Sequence, residues 1–160
     1  MRIRQLGDPV LKEEASPFKL FNSETADRLI ENMFETMYTN HGVGLAANQV
    51  GVLQHIFVYD DQEGNKGVLC NASLIIPTNW KTHKVKEGCL SIPGEKHYPM
   101  RYESVTLTAN TIEGKDITIE ADGLLGQIFQ HEVDHLNGKL FISLLPKATQ
   151  MAIVLGNQVM

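Results

Sequence analysis

The sequence predicts an α+β fold in which antiparallel sheets pack around a central helix carrying a His-Glu-x-x-His pattern. Three observations lead there. A helical stripe near the start is followed by a series of strand-like segments, and only then by a second helix. That order differs from the regular alternation of strand and helix that builds a parallel sheet. Residues 103 to 121, "ESVTLTANTIEGKDITIEA", alternate apolar and polar side chains on either side of Gly114, as an antiparallel hairpin does. The second helix holds His131, Glu132 and His135 among Leu125, Ile128, Phe129 and Leu136, which assigns it to the interior.

In chain order, "SETADRLIENMFETMYTN" carries Leu29, Ile30, Met33, Phe34, Met37 and Tyr38 on one helical face, with Asn22 or Ser23 as the cap. "HIFVYD" and "GVLCNASLII" read as strands, and Cys70 in the second is a buried core thiol. The hairpin follows. Residues 122 to 137 then form the second helix, with Asp122 near its start and Gly138 as its stop.

Length and composition narrow the classes. A chain of 160 residues is enough for one domain with a hydrophobic core, expected here as a single catalytic domain over 1–160. A formal charge of −5 leaves no direct nucleic-acid signature. No apolar run reaches the roughly 20 residues of a membrane span. The opening "MRIRQLGDPVLKEEASPF" lacks a long apolar core and has acids early, so neither a secretory signal nor a transit peptide is expected. Two cysteines, Cys70 and Cys89, are too few for a disulfide scaffold, which fits a reducing cytoplasm.

The chemistry centres on "FQHEVDHLNG", residues 129 to 138. Helical residues four apart lie about 40° apart around the axis, so His131 and His135 can reach one ion. Glu132 sits beside that ion without having to bind it. Leu124 and Ile128 share the face and are expected to line a pocket. The bare pattern also arises on surface helices, but a buried His-Glu-His cluster without a metal would be costly to desolvate. A catalytic site needs three protein ligands and an open position. Zinc peptidases commonly take the third from downstream, yet no Asp, Glu or His follows His135, and Phe141 stands where the longer peptidase pattern has its last His. The third ligand is therefore upstream, among Cys89, His41, His55, His83 and His97. Cys89, in "KEGCLSIPG", would complete a Cys-His-His set, and its thiolate suits iron or zinc.

Three separated motifs now carry a resemblance. "GVGLAANQ", Gly42 to Gln49, "EGCLS", Glu87 to Ser91, and "QHEVDH", Gln130 to His135, occur in the order and near the spacings of the peptide deformylases. "GDPVL" and "ADGLLGQ" resemble that family too, so the likeness covers nearly the whole chain. It implies Cys89, His131 and His135 as metal ligands, Glu132 as general acid/base, and Gln49 with the Leu90 N–H as oxyanion donors. Gly44 is implied as a backbone contact to peptide. Val43, Leu124 and Ile128 are expected around the methionine side chain, and Arg101 on the substrate side. The implied reaction is hydrolysis of N-formylmethionyl peptides to formate and a free N-terminal methionine. The resemblance further implies that a hydroxide supplied by the metal would attack the formyl carbon. One divalent ion is implied, ferrous in cells, with zinc, nickel or cobalt able to substitute. A zincin-type peptidase and a catalytically silent relative are the competing readings. The missing downstream ligand opposes the first, and the intact Gln49, Cys89 and Glu132 oppose the second.

The chain departs from the family in several places. Asn48 replaces the usual Pro or Thr beside Gln49. His41 replaces an acid that often pairs with the arginine matching Arg101, which leaves Arg101 unpaired or engaged elsewhere. Pro99 replaces a usual Val and is expected to disturb a peptide-binding strand edge. Asp134 is the expected partner orienting the histidines. Transient ribosome association is implied by the resemblance, although the short apolar tail after Gly138 has only Lys139 and Lys147 as charges.

Overall fold

The computed structural model describes residues 1–158, so the last two positions of the expected 1–160 unit lie outside the described residues. The first helix, α1 (Glu24–Thr39), starts at Ser23, whose Oγ accepts the Ala26 N–H at 3.1 Å while its hydroxyl donates to the Leu20 carbonyl at 2.7 Å. This resolves the cap in favour of Ser23 over Asn22. Three strands follow, β1 (Gly44–Ala46), β2 (Ile56–Asp60) and β3 (Lys66–Ile75), with a 3-10 turn at Ala47–Val50 between the first two. Four short strands come next: β4 (Thr82–Lys84), β5 (Glu87–Cys89), β6 (Ile92–His97) and β7 (Met100–Tyr102). The hairpin is β8 (Ser104–Asn110) and β9 (Asp116–Asp122), and then come α2 (Gly123–Leu136) and α3 (Lys147–Gln158).

A five-stranded antiparallel sheet in the order β1-β2-β3-β8-β9 separates the two long helices. The two-residue period of β2 explains the layering. Ile56 and Val58 join Met33, Met37, Leu45 and Cys70 on the α1 side. Phe57 and Tyr59 join Phe129, Val133 and Leu136 on the α2 side. The Phe129 ring meets Tyr59 edge-on at 5.2 Å and Phe57 at 6.0 Å between centroids. Both faces of β2 are covered, and it reads as a continuous apolar run. Each such large side chain withdrawn from water contributes about 1.5–3 kcal/mol.

The hairpin forms as expected, paired from Asn110–Asp116 out to Ser104–Asp122, and Gly114 takes a φ of +88° in its turn. α2 stops at Gly138, where φ is +75° and a Cβ would lie 2.6 Å from the Lys12 carbonyl oxygen. The small strands between 82 and 102 were not legible. Three of them have only three residues, too few to display alternation, and each pairs with a partner outside the main sheet: β4 with β7, β5 with β6. Pro99 breaks no ladder. It lies in the gap between β6 and β7, and its carbonyl accepts the Val85 N–H at 3.1 Å. The apolar tail also gains structure. A 3-10 turn at Phe141–Leu144 and then α3 pack Phe141 and Ile153 against Leu11, Ile92 and Cys89. Among the described residues, no helix is long and apolar enough to cross a membrane.

Candidate metal centre and active site

α2 supplies two imidazoles from one face. His131 and His135 bring their Nε2 atoms within 3.1 Å of each other, with ring centroids 4.8 Å apart. The Cys89 thiol arrives from the end of β5, where the register shifts between Gly88 and Cys89, and Sγ lies 3.2 Å from His135 Nε2. All three ligand atoms fall within 4.8 Å of one another. An ion about 2.0–2.3 Å from each ligand, as zinc requires, needs neighbouring ligand atoms a little over 3 Å apart. The set fits a single ion, and its thiolate and two imidazoles suit a borderline or soft transition metal.

The partner that orients His131 is Glu87, whose carboxylate accepts from Nδ1 at 2.6 Å. That fixes Nδ1 as the protonated nitrogen and leaves Nε2 to face the metal position. Arg101, expected on the substrate side, stands instead behind the ligands. It is 5 % exposed and donates from Nε and Nη2 to the two Glu87 oxygens at 3.0 and 2.7 Å. Its Nη1 donates to Asp134 at 2.7 Å. Asp134 therefore does not orient a histidine directly, as had been expected; it anchors the arginine that anchors Glu87. Arg101 is paired although His41 replaces the usual acid, because Glu87 and Asp134 converge on it. Burial opposes charge on Glu87, but His131 and Arg101 overcome it and hold the carboxyl at about 2. Burial likewise disfavours an imidazolium at His131, yet the charge of Glu132 and bonds from Cys89 and Glu87 raise its pKa well above the usual value. His135 goes the other way, lowered first by burial and then by its neighbour His131.

Glu132 stands against β1 at Gly44. Burial pushes its carboxyl up to about 7, and Oε1 has no hydrogen-bond partner. Its Oε2 crowds Gly44 so closely that a Cβ there would sit 2.5 Å away, and only glycine leaves this approach open. Gln49 comes from the 3-10 turn after β1. Its Oε1 accepts the Ala46 N–H at 3.0 Å, which turns Nε2 toward Ser91 Oγ at 3.1 Å and Cys89 Sγ at 3.6 Å.

These groups meet at a cavity of about 520 Å³. Of the expected residues, Val43, Gly44, Gln49, Cys89, Leu90, Leu124, Ile128, His131 and Glu132 line it, whereas Arg101 and the fully buried His135 do not. Ile128 is 3 % exposed at the floor, whereas Leu124 is 38 % exposed at the rim. Lys86, Lys96 and Gln127 also line the cavity and were missed. Nothing in the local sequence distinguishes Lys86 and Lys96 from ordinary surface residues, whereas Gln127 closes the family-like "ADGLLGQ" and could have been found there. Glu87 was missed as a functional side chain too, although it opens the "EGCLS" motif.

The family model described as polypeptide deformylase matches residues 1–151. The chain is 46% identical over 142 residues to a peptide deformylase of Halothermothrix orenii, covering 89% of this chain and 91% of that one. It is 44% identical over 153 residues to peptide deformylase 1 of Corynebacterium glutamicum, covering 94% and 89%. Among solved structures, the peptide deformylase from Legionella pneumophila superposes with a TM-score of 0.88 at 38% identity, covering 95% of this chain and 89% of that one. That from Ehrlichia chaffeensis gives 0.91 at 30%, covering 99% and 95%. Likeness of this extent in both sequence and fold places the chain among hydrolases: it belongs to the peptide deformylase family.

Proposed function

We propose that the protein removes the formyl group from N-formylmethionyl nascent peptides, releasing formate, and that residues 1–160 work as one catalytic domain. The observation that carries this is the one such cluster among the described residues, Cys89, His131 and His135, with the buried Glu132 carboxylate, its Oε1 unpartnered, in the same cavity. A divalent ion held by the three ligands would supply a Lewis acid and lower the pKa of a water at neutral pH. Ferrous iron is the ion assigned in cells, with zinc, nickel or cobalt able to substitute.

The residues of the chain do the rest. Glu132, with its carboxyl near 7, can take a proton from water and return it to the departing amine. Gln49 Nε2, held in place through its own Oε1, and the Leu90 N–H donate to the formyl oxygen as negative charge grows there. β1 is an edge strand of the five-stranded sheet, so an extended peptide can add beside Gly44. Val43, Leu124 and Ile128 offer apolar surface for the methionine side chain. The proposed setting is the cytoplasm, where formylated chains arise and both thiols stay reduced. A transient meeting with the ribosome follows from the origin of that substrate.

The test is formate release from formyl-Met-Ala-Ser by anaerobically iron-loaded protein. The expected result is one formate and one free amino terminus per peptide, with the internal bonds intact. Absence of formate, or internal cleavage, overturns the reading. The iron form should lose activity in air while the nickel form keeps it, because the ferrous ion and its thiolate are oxidisable. Equal decay of the two forms would refute the thiolate-bound ferrous site.

A further inference from the structure

We infer that Asn48 is a positioning residue for the metal ligand His135, clamping its main chain and serving as acceptor for its ring Nδ1–H. The inference rests on the metal centre proposed above. Asn48 is fully buried in the 3-10 turn, directly before Gln49. Its Nδ2 donates to the main-chain carbonyl of His135. The amide can stand only this way round, since the reversed orientation would set two oxygens against each other.

That orientation leaves Asn48 Oδ1 buried without a partner, and His135 Nδ1 is buried without a partner as well. The two are complementary. His135 turns Nε2 toward Cys89 and His131, so on metal binding the ring hydrogen must sit on Nδ1. A metal-ligating histidine normally donates that hydrogen to an acceptor. His131 has Glu87 for the purpose; His135 has no carboxylate on Nδ1. The other buried unpartnered side-chain atoms among the described residues do not fit. His55 Nδ1 lies just before β2, on a residue that bonds Ser16 and Asn71, and Glu132 Oε1 belongs to the carboxylate at Gly44. Asn48 already bonds the main chain of His135, so the unpartnered acceptor and the unpartnered donor belong to two residues in direct contact. One turn thus carries both the residue that steadies a ligand and, at the next position, the donor Gln49.

The experiment measures zinc affinity by chelator competition for wild type, Asn48→Leu and Asn48→Asp. Leucine keeps the branched shape and heavy-atom count and removes both polar groups; aspartate keeps an acceptor. Asn48→Leu is expected to bind zinc roughly 10–100-fold more weakly, and Asn48→Asp, which restores the acceptor but sets an oxygen against the His135 carbonyl, to recover only part of that loss. In the zinc-loaded wild type, nitrogen-15 NMR of labelled histidine should show a slowly exchanging His135 Nδ1–H, and this should be lost in Asn48→Leu. Zinc binding by Asn48→Leu at wild-type strength overturns the inference. So does a fast-exchanging His135 Nδ1–H in the wild type, which decides the matter even if Asn48→Leu fails to fold. A wild type that binds no zinc, cobalt or nickel overturns the metal centre itself, and the Asn48 role with it.

Discussion

Cys70 and Cys89 are both buried thiols on strands, and their surroundings give them opposite chemistry. Cys70 is 0 % exposed on β3, across from Ile56 and among Met33, Met37 and Leu45. With nothing there to stabilise a thiolate, burial pushes its pKa up to about 12. Cys89 is 9 % exposed at the end of β5, with an imidazole nitrogen at 3.2 Å and the Gln49 amide at 3.6 Å. Burial among apolar groups makes a thiol inert, and burial beside donors and imidazoles suits it to the ligand role proposed for Cys89. The residue type and depth are shared, so the neighbours decide.

The strongest way to break this contrast is to exchange the roles of the two thiols in metal binding. Cys89→Ala should leave no stoichiometric metal after gel filtration and no measurable deformylation, because two histidines on one helix hold an ion weakly. Retained metal in that variant, with loss in Cys70→Ala, would mean that the wrong thiol had been assigned. The next effect separates holding the ion from using it. Glu132→Gln should keep its metal but lose roughly 10²–10⁴-fold in kcat, since the amide cannot accept the proton. A variant retaining more than about a tenth of wild-type kcat/KM would remove Glu132 from the mechanism.

A smaller effect sharpens the Cys89 side. Glu87→Gln should weaken metal binding by roughly 10–100-fold, because it loosens both the His131 ring and its Arg101 support. Chelator competition measures it, and unchanged affinity would make the Glu87–Arg101–Asp134 chain purely structural. The smallest effect belongs to Cys70. Cys70→Ala should leave metal content and activity intact and cost about 1 kcal/mol at neutral pH. The pH dependence has a definite sign. The folded-state value near 12 lies above the ordinary 9.0, so this contribution is complete below pH 9 and is lost as pH rises toward 12. Wild-type stability should therefore fall by up to about 1.4 kcal/mol per pH unit in that window from this group. Denaturant titrations of wild type and Cys70→Ala should diverge in slope there; parallel curves would show that Cys70 is not buried as described.

Long elements were legible because their periodicity is local. The apolar stripe of α1, the alternation of β8 and β9, and the apolar run of β2 each repeat often enough to reveal a buried face. The strands between 82 and 102 and the helix after Pro146 were not. Three-residue strands show no period, and α3 buries Ile153 while leaving Met151, Val154 and Leu155 exposed. The site divides the same way. Spacing on one helix put His131, Glu132 and His135 together, but Glu87, Asp134 and Arg101 come from three separate elements.

By itself, the sequence determined the α+β order of elements, the histidine pair four residues apart and the absence of any downstream third ligand. Its three motifs added the family and, through it, the expectation of Cys89 as the third ligand. Each is a matter of residue type and local spacing, which a helix or strand converts directly into geometry. Only the tertiary structure decided that Arg101 supports Glu87 in place of meeting substrate, that Asp134 serves Arg101, and that Asn48 reaches the main chain of His135. Those pairings span 14, 33 and 87 residues. Pairing at such separations depends on which groups are left buried and unsatisfied once the sheet and α2 have packed, and a buried charge or amide then bonds whatever complementary group the fold has brought within reach.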